Sequence, residues 1–479
     1  MSQSQWKVYQ SPLVARNASQ AMCRLFSAEH RIRTWRRLWI ELADAQRKAG
    51  LKRITSRQVA ALRKNIDDID FKRAARYEKK LRHDVMAHLT AFADLAPSAG
   101  PILHLGATSA YVVDNADLII MRDGLELIRN WLVNVIDAFA AFAKKHRNLP
   151  ALGFTHYQPA QLTTVGKRAA LWCYDFVRDL EEIEHRISRM KLRGVKGTTG
   201  TQASFLALFD GDGHKVDAVE TAVAQAFGFS ECEPITGQTY SRKVDVQIVN
   251  ALAGIATSVH KFANDVRLLS NLKEIEEPFE SSQIGSSAMA YKRNPMRCER
   301  ATGLARFLIS LSSSPMQTAA EQWLERSLDD SSNKRIVIPE TFLATDGMMK
   351  IVTNVARGLV VYPKVIAAHI DAELPFMASE DLLMAGVIAG GDRQKLHECI
   401  RRHSIEAARA VKMQGRSNDL LKRLQSDPAF ANVEVNAVLD PRKFVGRAPQ
   451  QVDEFLRSIV SPIRRRYRKV LGMDAELAV

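Results

Sequence analysis

The sequence is poor in cysteine, in aromatic residues and in long apolar runs. Its five cysteines (Cys23, Cys173, Cys232, Cys298 and Cys399) lie far apart and form no C-x-x-C pair. That excludes a disulfide framework and argues for reduced thiols in a reducing compartment. No apolar run approaches the roughly 20 residues that a membrane span needs. The first twelve residues are polar and lack the apolar core of a secretory signal. A cytoplasmic protein without a membrane span is the expectation. No G-x-G-x-x-G fingerprint is present. The run Arg193-Gly194-Val195-Lys196-Gly197-Thr198-Thr199-Gly200 lacks the order of a phosphate-binding P-loop, and no strand pattern precedes it. His83 and His88 are five apart rather than the four that share a helix face, and no third ligand is in register. Neither a metal nor another cofactor is expected.

What is present is a chain of 479 residues, 46% hydrophobic and 25% charged, with a formal net charge of +15. Those proportions suit a soluble globular protein, and the length allows about three domains. Surplus positive charge favours solubility and contact with polyanions, including a small polyanionic substrate. The one basic cluster, Arg464-Arg465-Arg466-Tyr467-Arg468-Lys469, reads as a solvated helix face. No nucleic-acid module accompanies it, so a nucleic-acid partner is not expected.

The periodicity is helical almost throughout. Within Arg33 to Lys48, the residues Trp35, Leu38, Trp39, Leu42 and Ala43 keep helix spacing. From Asn115 to Arg147 a single stripe runs through Ile128, Trp131, Leu132, Val135, Phe139 and Phe142. Four more long patterns follow, near residues 163–192, 241–275, 295–321 and 339–370. Such lengths exceed the usual mean of about 11–12 residues and predict a bundle of rods. Rods apolar on more than one side also predict partner chains. After Asp371 the helices shorten, punctuated by Pro375, Gly390-Gly391, Pro428, Pro441 and Pro449. Strand alternation is not convincing anywhere. The fold class is therefore all-α: an N-terminal helical domain (1–111), a central bundle of long antiparallel helices (112–364) and a C-terminal helical domain (365–479).

Polar chemistry gathers in the stretches between rods: 153–163, 193–204, 236–240, 283–294 and 326–335. The most distinctive runs from Gln283 to Pro295, with Gly285 to free the backbone and Pro295 suited to start a helix. Taken alone it is either a Gly/Ser linker or a mobile lid. His156, alone in a loop of hydrogen-bonding groups, is either a structural histidine or a general acid or base. Arg300, Arg326 and Arg335 offer forks that suit carboxylate or phosphate.

Several of these stretches carry a resemblance. They are Arg33 to Trp39, Arg82 to His88, Thr155 to Arg168, Lys196 to Ser204 and Ser286 to Pro295. The chain resembles the fumarase/aspartase superfamily of lyases, whose signature loop reads G-S-S-x-M-P-x-K-x-N. Within it, the likeness is to the adenylosuccinate lyase family of the animal type, nearly end to end. The resemblance implies a homotetramer with active sites where three subunits meet. It implies β-elimination of fumarate from adenylosuccinate, giving AMP, and from the succinylaminoimidazole-carboxamide ribotide of purine synthesis.

The resemblance also assigns roles. Ser286 would be the base and His156 the acid. Lys292 would stabilise the alkoxide and the carbanion, and Asn294 would bind the fumaryl carboxylate. Glu299 would keep His156 protonated. His83 would lie near the phosphate and the acid. Arg16, Arg82, Asp84, Thr108, Ser109, Gln238 and Arg300 match substrate-binding positions, and Arg326, Ser331 and Arg335 match phosphate-binding ones. Two positions depart from the pattern: Ala290 replaces the loop proline, and Asn17 replaces a tyrosine after Arg16. Another lyase of the superfamily, such as argininosuccinate lyase or fumarase, and a non-catalytic scaffold of the same fold remain the rivals.

Overall fold

The computed structural model describes residues 7–280, 283–284, 288–435 and 440–477. Its spine is a set of long helices. After α1 (Ala28–Lys48), α2 (Phe71–Leu81) and α3 (Asp84–Leu95) comes the rod α4 (Ser109–Lys145). The rods α5 (Val165–Arg189), α6 (Lys243–Asn271), α7 (Met296–Leu311), α8 (Ser313–Ala320) and α9 (Asp330–Gly358) follow. The expected apolar stripe of α4 is buried, from Ile128 through Phe142.

Three contacts give the rods their directions. The Gly194 N–H donates to Asn115 Oδ1 at 3.0 Å, so α5 runs back toward the start of α4. Arg242 pairs with Asp114 at 3.2 Å, so α6 starts at that same end. Arg242 also pairs with Asp330, so α9 starts there too. Ring packing seals the middle: Phe139 meets Phe262 at 4.8 Å and Phe176 at 5.6 Å, and Trp172 meets Phe262 at 5.2 Å. The rods approach closely where Gly124 faces the Phe342 ring. A Cβ on Gly124 would lie 2.7 Å from it.

The structure corrects the sequence reading in three places. Residues 150–164 form a β-hairpin, β1 (Pro150–Thr155) against β2 (Gln158–Thr164), with Thr155 paired to Gln158. The proposed rod 295–321 is two helices that meet at Ser312. The rod expected from Pro339 begins nine residues earlier, at Asp330, and holds Pro339 inside it. It ends at Gly358, where Val360–Val361 (β4) pairs with Ile275–Glu276 (β3).

A second hydrophobic cluster of Leu382, Leu396, Ile400, Leu420, Leu424 and Phe430 forms the core of residues 378–435. The chain then returns to the bundle. Gly472 and Met473 donate backbone N–H groups to Asn134 Oδ1 at 2.8 and 3.0 Å. In the basic cluster, Arg464 pairs with Asp137 and Arg466 with Glu184.

Candidate active site

The residues singled out in the sequence fall at two ends of the rods. At the start of α4, Arg82 closes α2 in a left-handed conformation (φ 56°). That sharp exit sets His83 as the cap of α3, with Nδ1 accepting the Met86 N–H at 3.5 Å. The other ring nitrogen, Nε2, lies 3.1 Å from Ser109 Oγ. Thr108, partly exposed beside it, is the capping residue of α4. Asp84 accepts a 2.7 Å hydrogen bond from Arg335. Burial opposes ionisation of Asp84. The hydrogen bonds from Arg335 and the Val85 N–H, with the charges of Arg335 and His83, outweigh it and lower the pKa. Arg326 donates to Gln238 Oε1 at 2.9 Å, and Gln238 Nε2 donates to the Thr198 carbonyl at 3.1 Å. One cavity is lined by Asp84, Arg326, Ser331 and Arg335 together.

Histidine chemistry differs sharply within this end. His104 is tucked beneath the site, where Nδ1 accepts the Trp39 indole N–H at 2.9 Å. Burial, aided by the nearby His83 charge, pushes its pKa to about 4. His104 is therefore a neutral structural group near pH 7.

The second set lies far along the rods. His156 and Tyr157 form the two-residue turn of the hairpin, both with positive φ (53° and 57°). Arg168, most of a turn into α5, steadies the hairpin by donating to the Leu152 carbonyl at 2.5 Å. Tyr157 meets Phe154 at 5.8 Å and lines one cavity with Leu171, Trp172 and Lys261. Trp172 in turn meets Phe139, thirty residues along α4 from Ser109. At 1.5 Å per residue the hairpin tip is thus about 45 Å along the bundle from Ser109.

Lys292 is exposed in the turn before α7, its N–H bonded to the Met289 carbonyl. Asn294 is partly buried just before Pro295. Glu299 and Arg300 occupy the first turn and a half of α7. That helix start is held by Glu277, which accepts the N–H groups of Arg297 and Cys298 at 3.0 and 2.9 Å. Arg300 lies near Arg16. Burial lowers the Arg300 pKa, and the Arg16 charge pushes the same way. The expected base, Ser286, lies outside the described residues, as do Gly285 and Ser287. Among the described residues, no hydrogen bond or ion pair joins Glu299 to His156.

Comparison with known proteins bears on this arrangement. Residues 17–309 match the lyase family, and residues 375–455 match the adenylosuccinate lyase C-terminus family. The chain is 50% identical to adenylosuccinate lyase of Schizosaccharomyces pombe, over 98% of this chain and 99% of that one. It is also 50% identical to the Saccharomyces cerevisiae enzyme of that name, over 97% of each chain. The Schistosoma mansoni adenylosuccinate lyase is 45% identical over 99% of this chain and all of its own. The chain belongs to the adenylosuccinate lyase family.

Solved structures agree on the fold of this lyase. A fumarate lyase from Mesorhizobium sp. BNC1 superposes with a TM-score of 0.79 at 25% identity, over 94% of this chain and all of that one. A 3-carboxy-cis,cis-muconate lactonizing enzyme from Pseudomonas putida gives 0.79 at 23%, over 96% of this chain and all of that one.

Sequence reasoning missed a buried ionic web beneath the first end of this family member. Asp114, Tyr240, Arg242, Asp245, Asp330 and Lys334 are all under 9% exposed. They are scattered over 221 positions, so spacing gave no signal. Cys399, His403 and Asp427 also converge, in the C-terminal cluster. There Asp427 already accepts from His403, Arg402 and the Ala429 N–H. The bonds from His403 and the Ala429 N–H hold its pKa down to about 2, and the arrangement is a capped ion pair.

Proposed function

We propose that the chain is an adenylosuccinate lyase whose active sites are each completed by residues from more than one copy. The observation that carries this reading is the distance of about 45 Å, by helix rise, between Ser109 and the level of the His156 tip. Each chain supplies both sets but cannot bring them together. Symmetric assembly joins one chain's first end to another chain's second end. A homotetramer of this long-helix fold, working in the cytoplasm, suits both the family and the exposed apolar residues along the rods, such as Leu171, Tyr174 and Leu268.

The reaction removes fumarate from adenylosuccinate to leave AMP. It does the same to the succinylated aminoimidazole-carboxamide ribotide. A base takes the proton from the carbon beside a carboxylate. The carbon–nitrogen bond then breaks, and an acid delivers a proton to the leaving nitrogen. In this reading Ser286 is the base and His156 the acid. The exposed hairpin tip suits His156 to reach a neighbouring copy's site. Lys292 and the loop N–H groups stabilise the serine alkoxide and the carbanion, as preorganised donors do where negative charge develops. Asn294 and the Arg16–Arg300 pair take the succinyl carboxylates. Glu299 supports the protonated His156 across the subunit boundary. His83, with Arg82, Asp84, Thr108 and Ser109, orients the nucleotide, while Arg326, Ser331 and Arg335 bind its phosphate.

The test follows fumarate release from adenylosuccinate, from the succinylaminoimidazole ribotide and from argininosuccinate. The reading expects turnover of the first two alone, and loss of it in Ser286→Ala with the oligomer size unchanged. Turnover of argininosuccinate only, or full activity in Ser286→Ala, would contradict it.

A further inference from the structure

Ser331 and Arg335, assigned above to the phosphate, ride on the first turns of α9, which Asn333 ties to Ser314 at 2.8 Å and which no side-chain cap starts. The preceding segment 321–329 is largely irregular and includes Leu324 in the left-handed region (φ 48°), almost fully exposed. The capping residue, Asp329, is already helical, and its side chain accepts no capping hydrogen bond. Helices usually gain their start from such a cap. Here the start is held by side-chain contacts with other helices, the buried ones foremost.

Asp330 and Lys334 are one turn apart on the inner face of α9. Arg242 grips Asp330 through Nε at 2.7 Å. Its two terminal nitrogens fork onto both oxygens of Asp114 at 3.2 Å. Lys334 donates to the Tyr240 hydroxyl at 2.9 Å and pairs with Asp117 at 3.1 Å and Asp245 at 3.8 Å. The Tyr240 hydroxyl donates its own hydrogen bond to Asp245 at 2.6 Å. Ser331 and Arg335 are the next pair round the helix, about 100° on, and they line the cavity. Turning the inner pair turns the outer one.

We propose that Lys334 is a positioning residue that aims Ser331 and Arg335 at the substrate phosphate. The inference rests on the phosphate site of the proposed function and deepens it. An ammonium has three protons. Lys334 donates one to Tyr240, pairs with Asp117 and, more distantly, with Asp245, and is 8% exposed, so its ammonium is held by the protein at the cavity wall. Its role also has a sign. Five cations and four carboxylates line the cavity, so it carries a net charge of +1. Without Lys334 that surplus vanishes.

The experiment measures KM and kcat of Lys334→Met and Lys334→Arg on two substrates: adenylosuccinate and the same succinylated nucleoside without its phosphate. For Lys334→Met, KM for the nucleotide should rise about tenfold, which is about 1.4 kcal/mol. Its kcat should stay within about threefold, an effect far smaller than loss of an acid–base group. KM for the nucleoside should not move. Lys334→Arg should restore most of the loss. If Lys334→Met does not fold, the charge-neutral partner variant Tyr240→Phe, which removes the hydroxyl that Lys334 donates to, carries the same prediction, as a smaller rise confined to the nucleotide. An equal rise on both substrates, or none, overturns the positioning role while the phosphate site stands. A wild-type protein that handles nucleotide and nucleoside alike overturns the phosphate site itself, and this inference with it.

Discussion

Replacing Arg335 with glutamine separates binding from stability. In the free protein Arg335 pairs with Asp84 at 2.7 Å, but its side chain is 52% exposed and that of Asp84 30%. A pair this open contributes only about 0–1 kcal/mol. Arg335→Gln should therefore shift the denaturation midpoint little. The remaining difference should fade at low pH. The folded pKa of Asp84 is depressed, so its contribution is present above the unfolded value of about 4 and is lost as pH falls through the folded value. Binding should respond very differently. A hydrogen bond to a charged group is worth about 1.5–3 kcal/mol. At about 1.4 kcal/mol per tenfold, KM for adenylosuccinate should rise roughly 10- to 150-fold. The assay is the continuous change in absorbance on fumarate release, beside urea unfolding of the same preparation. A KM within twofold of wild type would refute the phosphate role of Arg335. A collapse of stability would show that the ion pair, not the substrate, was the purpose of the residue.

Two further outcomes concern the scaffold. Phe139 sits where four rings meet, so Phe139→Ala should cost about 3–5 kcal/mol in urea unfolding; a loss below about 1 kcal/mol would mean that the rods repack freely. Burial pushes the Asp179 pKa up to about 7, against a hydrogen bond from Ser258. Between about pH 4 and 7 the unfolded chain ionises while the fold keeps its proton, so stability falls as pH rises. Asp179→Asn should then stabilise the protein by about 1–3 kcal/mol at pH 8 and by almost nothing at pH 4. A gain independent of pH would refute the desolvation argument.

The sequence made the rods legible because their stripes repeat over many turns. Ile128, Trp131, Leu132, Val135, Phe139 and Phe142 are all buried in one helix, as their spacing required. The hairpin was not legible. Its turn is His156-Tyr157, both with positive φ, where the usual signal for such a turn is Asn-Gly or Asp-Gly. Strands this short, with Gly153 and Pro159 inside them, also lack clean alternation. Pro339 misled the start of α9, since proline favours the first turn of a helix and here lies in its third. The candidate site residues stood out as motifs, but the distance between their two groups did not. Nothing in the spacing of His83 and His156 tells that a rod holds them apart. The web around Lys334 needed the fold, because its charges come from the starts of three different helices.

The central claim is that each active site joins the His83 end of one copy to the His156 end of another. The direct measurement mixes two inactive variants, His83→Ala and His156→Ala, unfolds and refolds them together, and assays fumarate release from adenylosuccinate. Under random assembly each required end is intact half the time, so about a quarter of wild-type activity should return. If every site lay within one chain, each would still carry one defect, and the mixture would stay as inactive as either variant alone.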